Sequence, residues 1–168
     1  MPPPAAAIAV VAVLAMVAAA APAAAAGDED CIFDQAAQVA HYREMERRIE
    51  GARYDAADGA LVIARGAARI TVRRGGCVHF GLTITSVTPV AGAAERDDVF
   101  ARAVALVAEF GGGELVTADA VAAAIREDAF ELADGQVYYL RVPGVEAFSI
   151  AWGIADGRLT VEVAYYIN

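Results

Sequence analysis

The residues best suited to chemistry are concentrated in one short stretch, Ile70 to Gly81, ITVRRGGCVHFG. It holds two adjacent arginines, one of two cysteines and one of two histidines in the chain. On an extended strand, Cys77 and His79 project to the same side, which is what a thiol activated by an imidazole base requires. The chain has one other cysteine, Cys31. In an oxidising compartment two cysteines most simply join, so the sequence predicts a Cys31–Cys77 disulfide, with the catalytic thiol as the alternative. Under the disulfide reading Cys77 staples a strand end, and Arg69, Arg73, Arg74 and His79 form a binding set around it.

Other candidate chemistry is sparse. His41 and Glu44 stand at helical i,i+3 spacing, which suits two metal ligands, but His41 falls at the edge of an apolar stripe and reads as a packed or solvated histidine. Ser86 and Ser149, the only serines, each sit inside a predicted strand with no histidine nearby. The pairs Asp97–Asp98 and Glu127–Asp128 fall at a helix start and a helix end, without the apolar context that raises a carboxyl pKa for acid catalysis. The chain contains no Gly-x-Ser-x-Gly, Cys-x-x-Cys or His-Glu-x-x-His motif, and Gly111–Gly113 closes a helix instead of opening one after a strand. We therefore expect no cofactor, no metal and no coherent catalytic set, with a small secreted enzyme as the alternative reading.

The N-terminus sets the compartment. An uncharged run rich in Ala and Val from Ala5 to Ala21 meets Pro22, then Ala24-x-Ala26, then the acidic Gly27-Asp28-Glu29-Asp30. This is the order of a secretory signal peptide, residues 1–26, with cleavage before Gly27 and a secreted or periplasmic product free of the membrane. The n-region has no Lys or Arg, which leaves an N-terminal membrane anchor as the alternative. All thirteen basic residues are Arg, and the formal net charge of −9 excludes a general nucleic-acid binder. Charge is unevenly distributed: Gly59 to Thr88 carries Arg65, Arg69, Arg73 and Arg74 and no acid, whereas Pro89 onward carries five arginines against thirteen carboxylates. That pattern predicts attraction between two halves of one domain or simply solvated faces, or else a basic strand pair facing an anionic partner, an envelope protein for example.

The elements that position these residues belong to a single disulfide-bonded α+β domain, residues 27–168. Asp34 is a plausible N-cap for an amphipathic helix to Glu50 with Val39, Tyr42, Met45 and Ile49 on one stripe. Strands follow around Leu61 to Arg65, Arg69 to Arg73 and Val78 to Thr88, the second with Ile70 and Val72 inward and a basic outer side. Asp97 or Asp98 opens a helix ended by Gly111–Gly113, and Thr117 opens another to Phe130. The last strands are Gln136 to Val142, Ala147 to Ile154 and, after the hairpin signal Asp156-Gly157, Arg158 to Ile167. The predicted fold is α+β, an antiparallel sheet with helices packed on one face, in the order helix, three strands, two helices, three strands. Tyr138, Tyr139, Phe148, Trp152, Tyr165 and Tyr166 gather on the C-terminal strands as core plus cross-strand pairs, or as a recognition surface.

The run GARYDAADGALVIARGAARI, Gly51 to Ile70, resembles the small-residue-Tyr stretch and Lys/Arg-Gly turn of bacterial periplasmic lysozyme inhibitors of the MliC type. The likeness covers this run alone, and the predicted helices depart from that family's small β-barrel. It implies an envelope inhibitor that blocks an enzyme cleft with a loop near Tyr54 and Arg65. The wider expectation is a non-enzymatic secreted or periplasmic binding module of unknown partner.

Overall fold

A computed structural model describes residues 33–76, 79–111, 116–133 and 135–167. The N-terminal segment predicted as a signal peptide and both cysteines lie outside these residues. The elements are α1 (Gln35–Arg48), β1 (Ala52–Asp55), β2 (Ala60–Arg65), β3 (Ala68–Gly75), β4 (Phe80–Pro89), α2 (Arg96–Phe110), α3 (Ala118–Arg126), β5 (Phe130–Ala133), β6 (Val137–Leu140), β7 (Ala147–Ala155) and β8 (Arg158–Ile167). Among the described residues no helix is long and apolar enough to cross a membrane.

The fold is α+β with a single antiparallel sheet. Its order corrects the expectation: four strands follow α1 and four follow α3, because β1 and β5 are strands of four residues that the sequence does not advertise. α3 ends at Arg126 instead of running to Phe130. Its C-cap, Glu127, is followed by Asp128 in the left-handed region (φ 50°), which turns the chain into β5. Helix starts follow local chemistry. The Asp34 and Thr117 side chains accept from the N–H groups of Ala37 and Ala120 and so satisfy first-turn donors. α2 starts earlier than expected, with Glu95 as N-cap and Asp97 and Asp98 inside its first turn, where they favour the helix dipole.

The strands run β1-β2-β3-β4-β8-β7-β6-β5, so each four-strand meander starts at one edge and the two meet at β4 and β8 in the centre. β4 and β8 pair along their whole length, from Phe80↔Ile167 to Pro89↔Arg158. The halves repeat one unit of a helix and four strands, with α2 inserted between them. Ala52 and Phe130, Phe80 and Arg158, and the helix ends Arg48 and Arg126 all lie 78 positions apart. Even the link before each edge strand is repeated: Ala64 N–H donates to the Gly51 carbonyl and Arg141 N–H to that of Ala129, at 3.0 and 2.9 Å.

Register sorts the side chains into two faces. Leu61, Val72, Ile84, Val163, Ile150 and Tyr138 follow one another across the paired strands from β2 to β6, and all are buried. They join one core cluster with Tyr42 of α1, Val99, Phe100, Ala103 and Val107 of α2, and Val121 of α3. Phe100, Phe130 and Tyr138 meet edge to face at centroid distances of 4.8 to 5.6 Å, tying α2 to β5 and β6. In α1 Tyr42 is buried, with Met45 and the C-cap Ile49 partly buried beside it; Val39, expected on this stripe, is 40% exposed.

Candidate functional site

The alternate residues of the strands form the second face. One cross-strand row on it reads Arg53, Val62, Thr71, Thr85, Glu162, Ala151, Val137 and Ala133, one residue from each of the eight strands. The next row reads Arg73, Thr83, Ala164, Ser149, Tyr139 and Glu131. Around Glu162, the centre is made of small and hydroxyl side chains. Arginines mark the β1–β3 side, and Glu131, Tyr139 and Tyr166 the other, these two tyrosines being 53% and 50% exposed.

Arg69 and Arg73 stand on β3 of this face, both exposed and neither in a hydrogen bond or ion pair among the described residues. Their neighbour Arg53 pairs with Asp55 at 3.4 Å. Glu162 is half-buried near the middle and accepts from the Thr85 hydroxyl at 3.1 Å; no cation pairs with it among the described residues.

The other predicted site residues lie elsewhere. Arg74 projects to the helix-covered face, where its Nε donates to Gln38 Oε1 at 3.0 Å and its guanidinium lies 5.3 Å from the Phe80 ring centroid. Adjacent strand residues point to opposite faces, so Arg73 and Arg74 cannot form one patch. Tyr54 stacks on Tyr42 at 5.2 Å, with the Arg43 guanidinium 4.7 Å from its ring centroid. Arg65 makes a two-pronged contact with Glu109 of α2, and this carboxylate holds the guanidinium more firmly protonated. The resemblance-derived pair Tyr54 and Arg65 is thus engaged within the fold on the helix side. His79 is exposed and borders a shallow concavity with Gly75, Gly76, Gly81, Glu146 and Tyr166. The Tyr166 ring lies across Gly81, where a Cβ would come within 2.9 Å of it and push the ring aside. Cys77, the predicted partner of His79 in a reactive pair, is outside the described residues.

A cleft of about 310 Å³ is lined by His41, Met45, Arg48, Ile49, Glu109 and Phe110 and adjoins a hollow lined by Gly51, Ala64 and Gly66. Burial lowers the His41 pKa, Arg74 and Arg48 add to that, and Glu44 opposes them. The cleft's charges satisfy one another: Arg48 pairs with Glu44 and Arg65 with Glu109. Glu44 therefore faces Arg48 instead of forming a ligand pair with His41, and among the described residues no three His, Cys, Asp or Glu side chains gather for a metal.

Sequence reasoning missed the acidic and aromatic side of the open face. Alternation carries the signal: Tyr138 and Tyr165 are buried while Tyr139 and Tyr166 are exposed, so the aromatic cluster divides between core and surface at every step. No family model, curated protein or solved structure matches the chain.

Proposed function

We propose that the mature chain is a non-enzymatic binding module of the envelope or extracellular space, and that it binds through the sheet face opposite its helices. The compartment rests on the alanine-rich N-terminal segment with its Ala24-x-Ala26 pattern. The observation that carries the binding reading is the pair of unsatisfied arginines, Arg69 and Arg73, on a face that spans all eight strands and receives none of the described helices' buried side chains. Unpaired guanidiniums beside half-buried threonines, with exposed tyrosines across the face, form the polar, aromatic-anchored mixture that protein interfaces favour. A basic quarter on an otherwise acidic protein also gives the encounter a direction.

Photo-crosslinking in cells tests this. A benzoylphenylalanine at Thr83, on the open face, should give a discrete protein adduct, while the same residue at Ala101, exposed on α2, should give none. Equal adducts at both positions, or none at Thr83, would refute the assignment of the face.

A further inference from the structure

We infer that α1 is a strap latched over unpaired strand ends on the β1–β3 side of the sheet, and that acid opens it as a unit while the rest of the fold stays intact. The inference is independent of what binds the open face. The strap's hold on the core is narrow. Among the described residues α1 buries one side chain, Tyr42, where α2, of nearly the same length, buries six. α2 packs along α3, but a cleft lined by His41, Met45, Glu109 and Phe110 lies between it and α1. A helix of this length is marginal by itself, so α1 persists through what it touches.

Much of what it touches is polar. Gln35, Gln38, Tyr42 and Glu46 follow one another at helical three- and four-residue spacing and form one stripe, and each is hydrogen-bonded to β1, β3 or the residue after β3. The Gln35 amide donates to the Gly76 carbonyl, Gln38 accepts from Arg74 Nε at 3.0 Å, Tyr42 bonds both backbone groups of Arg74, and Glu46 accepts from the Tyr54 N–H at 3.0 Å. These backbone groups lie where strand pairing stops. Arg74 and Gly76 are beyond the last β2–β3 pair, Leu61↔Val72, and Tyr54 is on the edge strand β1. The closed strap therefore covers groups that a bare sheet edge would leave exposed.

Acid acts on this latch through two groups. His41 precedes Tyr42; Arg74 of β3 and Arg48 and Glu44 of α1 act on it, and Glu109 of α2, paired with Arg65, stands across the cleft. Burial, then the two arginines, lower its pKa from 6.5 against the pull of Glu44. Opening solvates the imidazole and restores its ordinary affinity, so a proton taken up below pH 6.5 favours the open form. The Tyr54 N–H and Arg43, with Arg53 of β1 adding to them, hold the Glu46 carboxyl below its ordinary value. Protonating Glu46, at still lower pH, weakens the bond to β1 and favours opening in the same direction.

Native-state hydrogen exchange of the mature protein, resolved by residue and run in urea up to about 2 M, reads the outcome. Near pH 7 the α1 amides from Val39 to Arg48 should be at least about tenfold less protected than those of β4 and β8. They should also have a much shallower urea dependence, since opening one helix exposes little surface. Corrected for intrinsic exchange, α1 protection should fall at least about threefold from pH 7 to pH 5 in wild type, and His41→Asn should remove most of that fall. Protection in α1 equal to that in β4 and β8, with the same urea slope, would mean that the helix opens only with the whole fold and would overturn the strap. Protection independent of pH, or an equal fall in His41→Asn, would overturn the acid latch.

Discussion

The Tyr42 hydroxyl takes the place of a missing strand partner for Arg74: it accepts from the Arg74 N–H and donates to the Arg74 carbonyl at 3.1 Å. β2 ends its pairing with β3 at Leu61↔Val72, so the two Arg74 backbone groups on that side have no ladder to join. A phenol from α1 supplies both bonds and fixes the helix over the end of β3. Burial raises the phenol's pKa despite the Arg74 contacts, which holds it as the neutral hydroxyl that both bonds require.

Tyr42→Phe should therefore cost stability without emptying the core. The ring stack on Tyr54 survives, but a part-buried N–H and C=O lose their partner, a penalty of about 2 kcal/mol. Urea unfolding at neutral pH reads this; a loss below about 0.5 kcal/mol, within the net value of a single replaceable hydrogen bond, would show that water substitutes freely for the phenol.

The tie between Arg65 and Glu109 joins β2 to α2 and looks strong in geometry, yet the side chains are 42% and 39% exposed. A double-mutant cycle with Arg65→Ala and Glu109→Ala should give a coupling of about 0.5 kcal/mol that fades in high salt. A coupling above about 2 kcal/mol that persists in salt would mark the pair as desolvated in solution.

What was legible in the sequence was whatever is fixed by chemistry within a few residues. Asp34 and Thr117 cap their helices as their side chains dictate, and Asp156-Gly157, with φ of 51° and 67°, makes the hairpin turn into β8. β1 and β5 were illegible because ARYD and FELA are short and owe their state to pairing with β2 and β6. The repeat of α1–β4 in α3–β8 leaves no residue-level trace, since spacing and burial carry it instead of side-chain identity. At the site, the period of two already separates Arg73 from Arg74. Only the register across β4 and β8 could place Glu162 and Glu131 on the arginines' face.

His41 gives a pH signature. Its pKa is lowered from the ordinary 6.5, first by burial and then by Arg74 and Arg48 against the pull of Glu44, so the folded state resists protonation more than the unfolded chain does. As pH falls below 6.5 the unfolded state takes up a proton that the folded state does not, and stability declines until the folded pKa is passed. His41→Asn should flatten that decline in urea midpoints measured between about pH 5 and 7. An unchanged slope would assign the effect to another group.

The last prediction concerns Cys31 and Cys77. Their described flanks are adjacent: the Gln35 amide donates to the carbonyls of both Phe33 and Gly76, and the Phe33 and Phe80 rings lie 5.7 Å apart. The chain segments that lead into and out of the two cysteines are thus held together before any covalent bond is considered. A disulfide here would fasten the start of α1 to the β3–β4 turn, the same helix-to-β3 seam that Tyr42 closes two turns further along α1. Protein secreted into an oxidising compartment should show no reactive thiol until it is reduced. Cys77→Ala should lower stability by up to roughly 4 kcal/mol, the loop-closure entropy released to the unfolded chain. Thiol alkylation followed by intact mass, with and without reductant, reads the first, and urea unfolding under both conditions reads the second. Two alkylated cysteines in the unreduced protein would refute the crosslink, as would a Cys77→Ala variant as stable as oxidised wild type.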